Sequence, residues 1–193
     1  FHEANQQLRV NGLRWGLDNW IYCASGSHHG NYGKESKIKS TKTGELVHIG
    51  ARDFRIKPDE GLIDPQSGPS QFGRNRDAWG NWFGVQNAKP MWHFVLDDRY
   101  LRRNPHVSYP DGKVLISDVP GQRPVFPRSQ PGKFHHASQA GRFTSANSAM
   151  IYGDELLGKE FIGNSFVSEP VHNLVHREIV ERDGVTLKSH KPK

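Results

Sequence analysis

The histidines are the side chains in this chain most suited to proton transfer or ligand binding. His172 and His176 lie four residues apart in the segment SEPVHNLVHR. If this segment is extended, strand alternation places both rings on one face, where they could form a site. The alternative is that they only make contacts between neighbouring structural units. His29, in a Gly- and Ser-rich loop, could bind a sugar or a metal ion or be a plain surface residue.

A second group of polar residues, Arg74-Asn75-Arg76, directly follows Phe72-Gly73 at the predicted end of a strand. A guanidinium can hold a carboxylate or a quinone oxygen through two parallel hydrogen bonds. These three residues are therefore the predicted cofactor-binding residues. A surface salt bridge with Asp77 or Asp98 is the alternative.

Two carboxylates, Asp18 and Asp77, each precede an aromatic run. Carboxylates in this position often cap a turn by accepting backbone N–H groups. Oxygen ligands supplied by loops also suit Ca²⁺, so the same residues are the predicted metal ligands. A single cysteine, Cys23, excludes an internal disulfide and any multi-cysteine metal site, and we expect it to pack as a small apolar group.

The elements that would position these residues recur along the chain. A turn pair precedes a strand-like run three times: Asp18-Asn19 before Trp20-Ile21-Tyr22, Gly80-Asn81 before Trp82-Phe83, and Gly163-Asn164 before Phe166-Val167. Asn and Gly tolerate the backbone of tight turns, and aromatic and β-branched residues suit strands. A recurring hairpin predicts an all-β fold, specifically a β-propeller built by radial repetition.

The blade-like units are predicted at about residues 8–63, 70–104 and 143–188, within a single partial propeller domain over residues 1–193. Residues 105–142 are rich in Pro and Gly and read as an insertion between blades. The segment 97–104 is predicted as either one helical turn or a polar loop. Asp183-Gly184 is a strong hairpin signal.

Composition supports this class and limits the partners. Hydrophobic residues make up 34% of the 193 residues, with 20 Gly and 12 Pro, which suits short strands joined by many turns. No apolar stretch is long enough to span a bilayer, and no signal peptide is present in this segment. The net charge is +6, but the basic residues are dispersed among acidic ones, so we expect no nucleic-acid partner. An alternative is that the arginines bind an anionic polymer other than a nucleic acid.

Four segments carry a resemblance to a known family: LRWGLDNWIYCASG, QFGRNRDAWGNWFGVQN, LDDRYLRRNP and GRFTSANSAMIYGDELLGKEFIGNSFVSEPVHNLVHREIVERDGV. They resemble large secreted bacterial proteins of planctomycetes and their relatives, described as membrane-bound dehydrogenases or heme-binding CxxCH proteins. The resemblance spans about residues 11–185. The N-terminal propeller of that family is similar to the glucose and sorbosone dehydrogenases that use pyrroloquinoline quinone (PQQ).

The resemblance implies an exported protein, periplasmic or secreted, that oxidises a carbohydrate or small alcohol with PQQ and Ca²⁺. It also implies a cytochrome domain in the parent protein, and heme c only there, because this chain has no CxxCH. Aligning on L-x-x-G-x-D-x-x-[IL]-Y places Leu8 or Arg9 where those enzymes have a catalytic His. The competing hypothesis is a non-catalytic propeller that binds polysaccharide or a protein through its exposed Trp and Tyr side chains.

Overall fold

Regular structure in this protein is almost entirely β, which confirms the all-β prediction. The structure, a computed structural model, describes residues 6–27, 33–108, 112–118, 124–128 and 137–193. The strands are β1 (Asn11–Trp15), β2 (Ile21–Ala24), β3 (Lys37–Lys39), β4 (Leu46–His48), β5 (Asp53–Lys57), β6 (Leu62–Gln66), β7 (Arg74–Arg76), β8 (Trp82–Gln86), β9 (Lys89–Phe94), β10 (Lys113–Leu115), β11 (Asn147–Ile151), β12 (Ser165–Glu169), β13 (Leu174–Asp183) and β14 (Thr186–His190). The helical elements are one short α-helix, α1 (Asp98–Leu101), and 3₁₀ turns at Gln6–Leu8, Ala137–Gln139, Lys159–Phe161 and Pro170–His172.

The strands form three open four-stranded antiparallel sheets and one two-stranded hairpin. The strand orders are β1-β2-β5-β6 in the first sheet, β7-β8-β9-β10 in the second and β11-β12-β13-β14 in the third. The three aromatic runs seen in the sequence form β2, β8 and β12, the second strand of each sheet. Each predicted turn pair therefore leads into an equivalent strand.

The structure differs from the predicted units in two places. The hairpin β3-β4 is inserted between the second and third strands of the first sheet, and Val47 belongs to it. The second sheet continues beyond residue 104, because β10 pairs with β9 through Lys113 and Phe94. β10 has only three residues, so its place in the second sheet depends on pairing with β9. The segment after β9 contains α1, in agreement with the predicted helical turn.

The first strands of the three sheets lie side by side and run in the same direction. Between the first and second sheets, Arg14 Nε donates to Asn75 Oδ1 at 2.6 Å, and Arg76 Nε donates to the Trp15 carbonyl at 2.7 Å. Between the second and third sheets, Asn75 Nδ2 donates to the Ala149 carbonyl at 2.7 Å. In each sheet, successive strands are antiparallel neighbours. Because the three first strands run in the same direction, the loops that join the first strand to the second and the third strand to the fourth all lie at the same end of the sheets.

Close backbone approach makes this arrangement possible. Gly12 has φ +62°, and a Cβ atom added there would lie 2.7 Å from Gly73 Cα. In the third sheet the corresponding position is Ser148, which takes φ 55° despite its side chain. In the first sheet the pairing of β1 with β2 shifts register at Gly12, and in the third sheet the pairing of β11 with β12 shifts register at Ser148. The same local bulge therefore recurs in the first and third sheets.

The two boundaries between the sheets differ in chemistry. The boundary between the second and third sheets is an apolar core, formed by Phe83, Val85, Met91, Ile116, Val125, Phe143, Ala146, Ala149 and Val167. A second apolar cluster of Cys23, Ile49 and Phe54 lies on the other face of the first sheet, against the β3-β4 hairpin. By contrast, charged and aromatic side chains fill the boundary between the first and second sheets. That boundary holds the candidate site.

Candidate functional site

The floor of the site is Arg74, buried at the start of β7. Its Nη1 donates to Asp53 Oδ2 at 3.0 Å and to the Ser67 carbonyl at 2.6 Å. Asp53 is fully buried, and its other oxygen accepts the Ser25 N–H at 3.0 Å and the Ser70 N–H at 2.8 Å. Both members of this pair are thus neutralised and hydrogen-bonded, which offsets the cost of burying two charges.

Aromatic rings surround the Arg74 guanidinium. Its carbon lies 4.0 Å from the Phe94 ring centre and 5.5 Å from those of Tyr22 and Trp82. These distances are in the range of cation–π attraction, which is strongest where water is excluded. Since Arg74 already occupies this ring cluster, the cluster is not a receptor for a cationic ligand.

Beside Arg74, a chain of alternating charges crosses from the first sheet to α1. Arg55 binds Asp18 at 2.7 Å and Asp64 at 2.8 Å. Arg102 then binds Asp64 at 2.9 Å and Asp98 at 2.6 Å. Arg55 and Asp64 are opposite each other in the β5-β6 pairing, which places them on one face. These ion pairs tie the α1 segment, between the third and fourth strands of the second sheet, to the first sheet.

The Tyr22 hydroxyl is fixed within this network. It donates to Asp18 Oδ2 at 3.0 Å and accepts from Arg55 Nη1 at 2.9 Å. Burial raises the pKa of Tyr22 to about 12, with Asp18 acting in the same direction and Arg55 against it. Tyr22 is therefore a protonated phenol at neutral pH and a structural donor rather than a base.

A cleft of about 340 Å³ opens above this floor, between the first two sheets. Its volume lies in the range of small-ligand sites, about 300–1,000 Å³. The rim includes Trp79, which is 88% exposed, on the hairpin between β7 and β8. The residues lining the cleft are Leu17, Asp18, Tyr22, Gln66, Arg74, Trp79, Gly80, Asn81, Trp82, His93, Phe94, Val95, Leu96, Asp97 and Arg99. The cleft therefore combines flat rings, amides and paired charges.

The predicted metal ligands Asp18 and Asp77 act as turn caps in the structure. Asp18 accepts the Trp20 N–H at 3.3 Å. Asp77 Oδ1 accepts the N–H groups of Trp79 and Asn81, both at 2.9 Å. Within the described part of the chain, no group of three or more His, Cys, Asp or Glu side chains could hold a metal ion. Asp18 and Asp77 do not fit Ca²⁺ coordination, because Asp77 serves its own hairpin and Asp18 also binds Tyr22 and Arg55.

The predicted cofactor-binding residues are also committed to internal contacts. Arg74 is paired with Asp53, and Asn75 bridges Arg14 and the Ala149 carbonyl. Arg76 donates to the carbonyls of Trp15 and Asp77. Of the three, Arg74 lines the cleft, and it is 3% exposed. These residues do not fit a quinone clamp, since their donors hold the three sheets together.

The structure separates the two histidines that the sequence pairs. His172 ends a 3₁₀ turn, and Asn173, with φ 50°, interrupts the extended backbone before β13 begins. Strand alternation therefore does not apply between His172 and His176. The Gly141 N–H donates to His172 Nε2 at 3.1 Å, so the proton of the neutral ring lies on Nδ1, 3.3 Å from Glu169 Oε1. His172 is fully engaged and buried.

Glu169 anchors the chain segment that enters the third sheet. Its Oε2 accepts the N–H groups of Thr144 and Ser145 at 3.1 and 3.0 Å, and its Oε1 accepts the Ser145 hydroxyl at 2.7 Å. Glu169 is fully buried. This Ser, His and Glu set is not a nucleophilic triad, because Ser145 and His172 both bind Glu169 rather than each other.

His176 pairs with a different carboxylate, Glu178, through Nε2 at 2.8 Å. Ser117 and Ser189 also donate to Glu178, which joins the third sheet to the segment after β10. Burial alone would raise the pKa of Glu178, but the hydrogen bonds from His176, Ser189 and Ser117 and the charge of His176 outweigh it. The net result is a pKa below its ordinary value.

The predicted site histidine His29 and the cleft-lining His93 remain to be placed. His29 lies outside the described residues. His93 is buried, and its Nδ1 lies 3.0 Å from the Thr186 hydroxyl of β14, so the ring faces the third sheet. Burial lowers the pKa of His93, although Asp77 acts in the other direction. The His93 ring is therefore neutral at pH 7, and its Nδ1 is held by the third sheet.

The site residues that sequence reasoning missed are Asp53, Asp64 and Trp79. Asp53 and Asp64 interrupt otherwise strand-like runs, and a carboxylate inside such a run is a signal for a buried ion pair. Trp79 belongs to the second aromatic segment, but only the structure shows that it lies on a hairpin rather than in the strand.

No helix in the described ranges is long and apolar enough to cross a membrane.

Comparison with known proteins gives a family but no characterised relative. No curated protein and no solved structure matches the chain. A family model with the description "Domain of unknown function (DUF7133)" matches residues 1–193. Because this match covers the whole chain, the protein belongs to the DUF7133 family.

Proposed function

We propose that the three sheets are consecutive blades of a β-propeller. The support is a row of cross-strand neighbours that recurs in each sheet: Arg14-Tyr22-Arg55, Asn75-Phe83-His93 and Met150-Phe166-Arg177. In the first two sheets the row packs against the following sheet, and Tyr22 and Phe83 are buried. Side-by-side first strands and a repeated face are the pattern expected of radially arranged blades.

We further propose that the protein binds carbohydrate in the cleft between the first two sheets. The observation that carries this proposal is the placement of Trp79, 88% exposed, on the rim of a cleft lined by amides and carboxylates. A flat indole covers the apolar face of a pyranose, while amide and carboxylate groups bind its hydroxyls. Asp53 and the Ser67 carbonyl hold the Arg74 guanidinium in place among the rings, which preorganises the rings for a ligand.

The charges of the cleft favour a polyhydroxyl ligand over an ionic one. Each charged side chain that lines the cleft has an opposite partner: Asp18 with Arg55, Arg74 with Asp53, and Asp97 with Arg99. An anionic polymer would have to displace one of these carboxylates. The anionic-polymer hypothesis therefore receives no support from this site.

The test of the carbohydrate proposal is calorimetric titration of the chain with a panel of soluble oligosaccharides. We expect Trp79→Ala to weaken saccharide binding about tenfold or more, because stacking contributes about 1–3 kcal/mol to comparable ring contacts. Trp15→Ala is the matched control, since Trp15 is 60% exposed and does not line the cleft. Saccharide affinity that is equal in the Trp79→Ala variant and the wild type would refute the proposal.

A second proposal rests on the resemblance described for residues 11–185: the parent protein is an exported bacterial oxidoreductase acting on a carbohydrate or small alcohol, with a partner cytochrome domain. Arg74, Asn75 and Arg76 do not fit PQQ, and His93, a histidine that lines the cleft, is held by the Thr186 hydroxyl. Dye reduction by the full-length protein with PQQ, Ca²⁺ and a panel of aldoses tests this proposal. Turnover supports it, and retained saccharide binding without turnover leaves only the binding function.

A further inference from the structure

Large apolar side chains are exposed at the end of the molecule where the first-to-second and third-to-fourth strand connections emerge. We define this apolar end as residues 16–20, 58–61, 77–81, 95–108 and 152–164, with 112 and 184–185. Among the residues that the structure describes, 19 large hydrophobic side chains are exposed, and nine of them lie there: Leu17, Trp79, Leu96, Tyr100, Val107, Leu156, Leu157, Ile162 and Val185. Such a concentration marks an interaction surface rather than scattered exposure.

The apolar end also carries a charge opposite to that of the whole chain. It holds nine acidic residues, Asp18, Asp59, Glu60, Asp77, Asp97, Asp98, Asp154, Glu155 and Glu160, and four basic residues, Arg99, Arg102, Arg103 and Lys159. The chain as a whole has a net charge of +6. The acidic excess is therefore a local property of this end.

The connection 152–164 combines both properties most fully. Leu156 is 88% exposed and Leu157 54% exposed. The backbone around them is ordered, since Asp154 Oδ1 accepts the Leu156 N–H at 3.1 Å and the Tyr152 hydroxyl accepts the Leu157 N–H at 2.9 Å. No described ion pair involves Glu155 or Glu160. This connection therefore combines two exposed leucines, Leu156 and Leu157, with two carboxylates that have no described ion pair, Glu155 and Glu160.

We propose that residues 152–164 are the centre of a docking surface for a protein partner whose own surface is basic and apolar. The leucines supply the desolvated contact, and the carboxylates supply attraction and orientation. A membrane or a nucleic acid fits poorly, because acidic side chains repel anionic headgroups and phosphates. The proposal is independent of carbohydrate binding, because Leu156 and Leu157 do not line the cleft.

The test uses a cationic amphipathic peptide of Leu and Lys as the probe and a peptide of Leu and Glu as its counterpart. We expect the chain to bind the Leu-Lys peptide and not the Leu-Glu peptide, with affinity falling as salt rises from about 50 to about 300 mM. The double variant Leu156→Ser/Leu157→Ser should weaken binding about tenfold. Val175→Ser is the control, because Val175 is 66% exposed on β13, outside the apolar end.

A second variant separates charge from apolar contact. Glu155→Lys/Glu160→Lys keeps both leucines, so we expect it to bind the Leu-Lys peptide more weakly and with less dependence on salt. Equal binding of both peptides, or binding unaffected by either double variant, would overturn the proposal. Association of the wild type with phosphatidylglycerol vesicles that the Leu156→Ser/Leu157→Ser variant loses would also overturn it, since it would make the surface lipid-binding.

Discussion

Tyr22 and Trp82 stack across the boundary between the first and second sheets with ring centres 4.0 Å apart. They are in the second strands of their sheets, and Arg74 lies 5.5 Å from both rings. Rings and a cation join these two sheets, whereas uncharged apolar side chains form the core between the second and third sheets. A ligand site can form at such a boundary because polar groups remain within reach of solvent.

Arg74→Met should destabilise the fold by about 3–5 kcal/mol, because it leaves the Asp53 carboxylate buried without its partner. The loss is measurable as a lower midpoint in urea unfolding. Arg99→Met is the control: the Arg99 side chain is 60% exposed, so its loss should change stability by less than about 0.5 kcal/mol. Equal effects of the two substitutions would contradict the role assigned to Arg74.

Gly12→Ala should destabilise the protein more than Gly44→Ala. Both glycines have positive φ, +62° and +76°, so both substitutions carry a backbone penalty of about 1–2 kcal/mol. Only at Gly12 would the new methyl group also meet backbone, 2.7 Å from Gly73 Cα, whereas Gly44 has nothing within 4 Å. The difference in melting temperature between the Gly12→Ala and Gly44→Ala variants measures the cost of disturbing the close approach of β1 to Gly73. Identical melting temperatures would show that this close approach does not matter.

Glu178 should make the protein sensitive to acid. Its pKa is lower in the folded state than its ordinary value of 4.5, so its ionised form stabilises the fold. That contribution is fully present above the unfolded pKa and is lost as pH falls through the folded pKa. We expect Glu178→Gln to flatten the dependence of unfolding free energy on pH below about 4.5. An unchanged acid limb in the variant would exclude this contribution.

Cys23 should resist thiol reagents in the native protein. Burial raises the pKa of its thiol to about 12, with Asp53 adding to the effect and Arg74 opposing it. At pH 8 the thiol is protonated and 1% exposed, so the reactive thiolate is absent. We expect negligible labelling by a disulfide reagent until guanidinium chloride unfolds the chain, and stoichiometric labelling afterwards. Rapid native labelling would show that the first sheet opens readily.

The candidate site was harder to predict than the elements that carry it. The sequence singles out Arg74 and Asp18 as polar residues beside aromatic strands, but the roles it predicts for them assume an external ligand. Their partners, Asp53 and Arg55, lie 21 and 37 residues away, and no local pattern relates such distant positions. His172 and His176 were grouped by strand alternation, which fails because Asn173 adopts a left-handed backbone.

The sequence by itself determined the β class, the turns before β2, β8 and β12, and the hairpin at Asp183-Gly184. These features depend on the local backbone preferences of Asn and Gly and on strand-forming side chains. Such preferences act between neighbouring residues and need no contact with distant parts of the chain. Only the tertiary structure decided which carboxylate meets which cation, that β10 completes the second sheet, and that one sheet boundary is apolar and the other charged. Those outcomes arise from burial and pairing between distant segments, where the energy of a charge depends on the partner that folding brings to it.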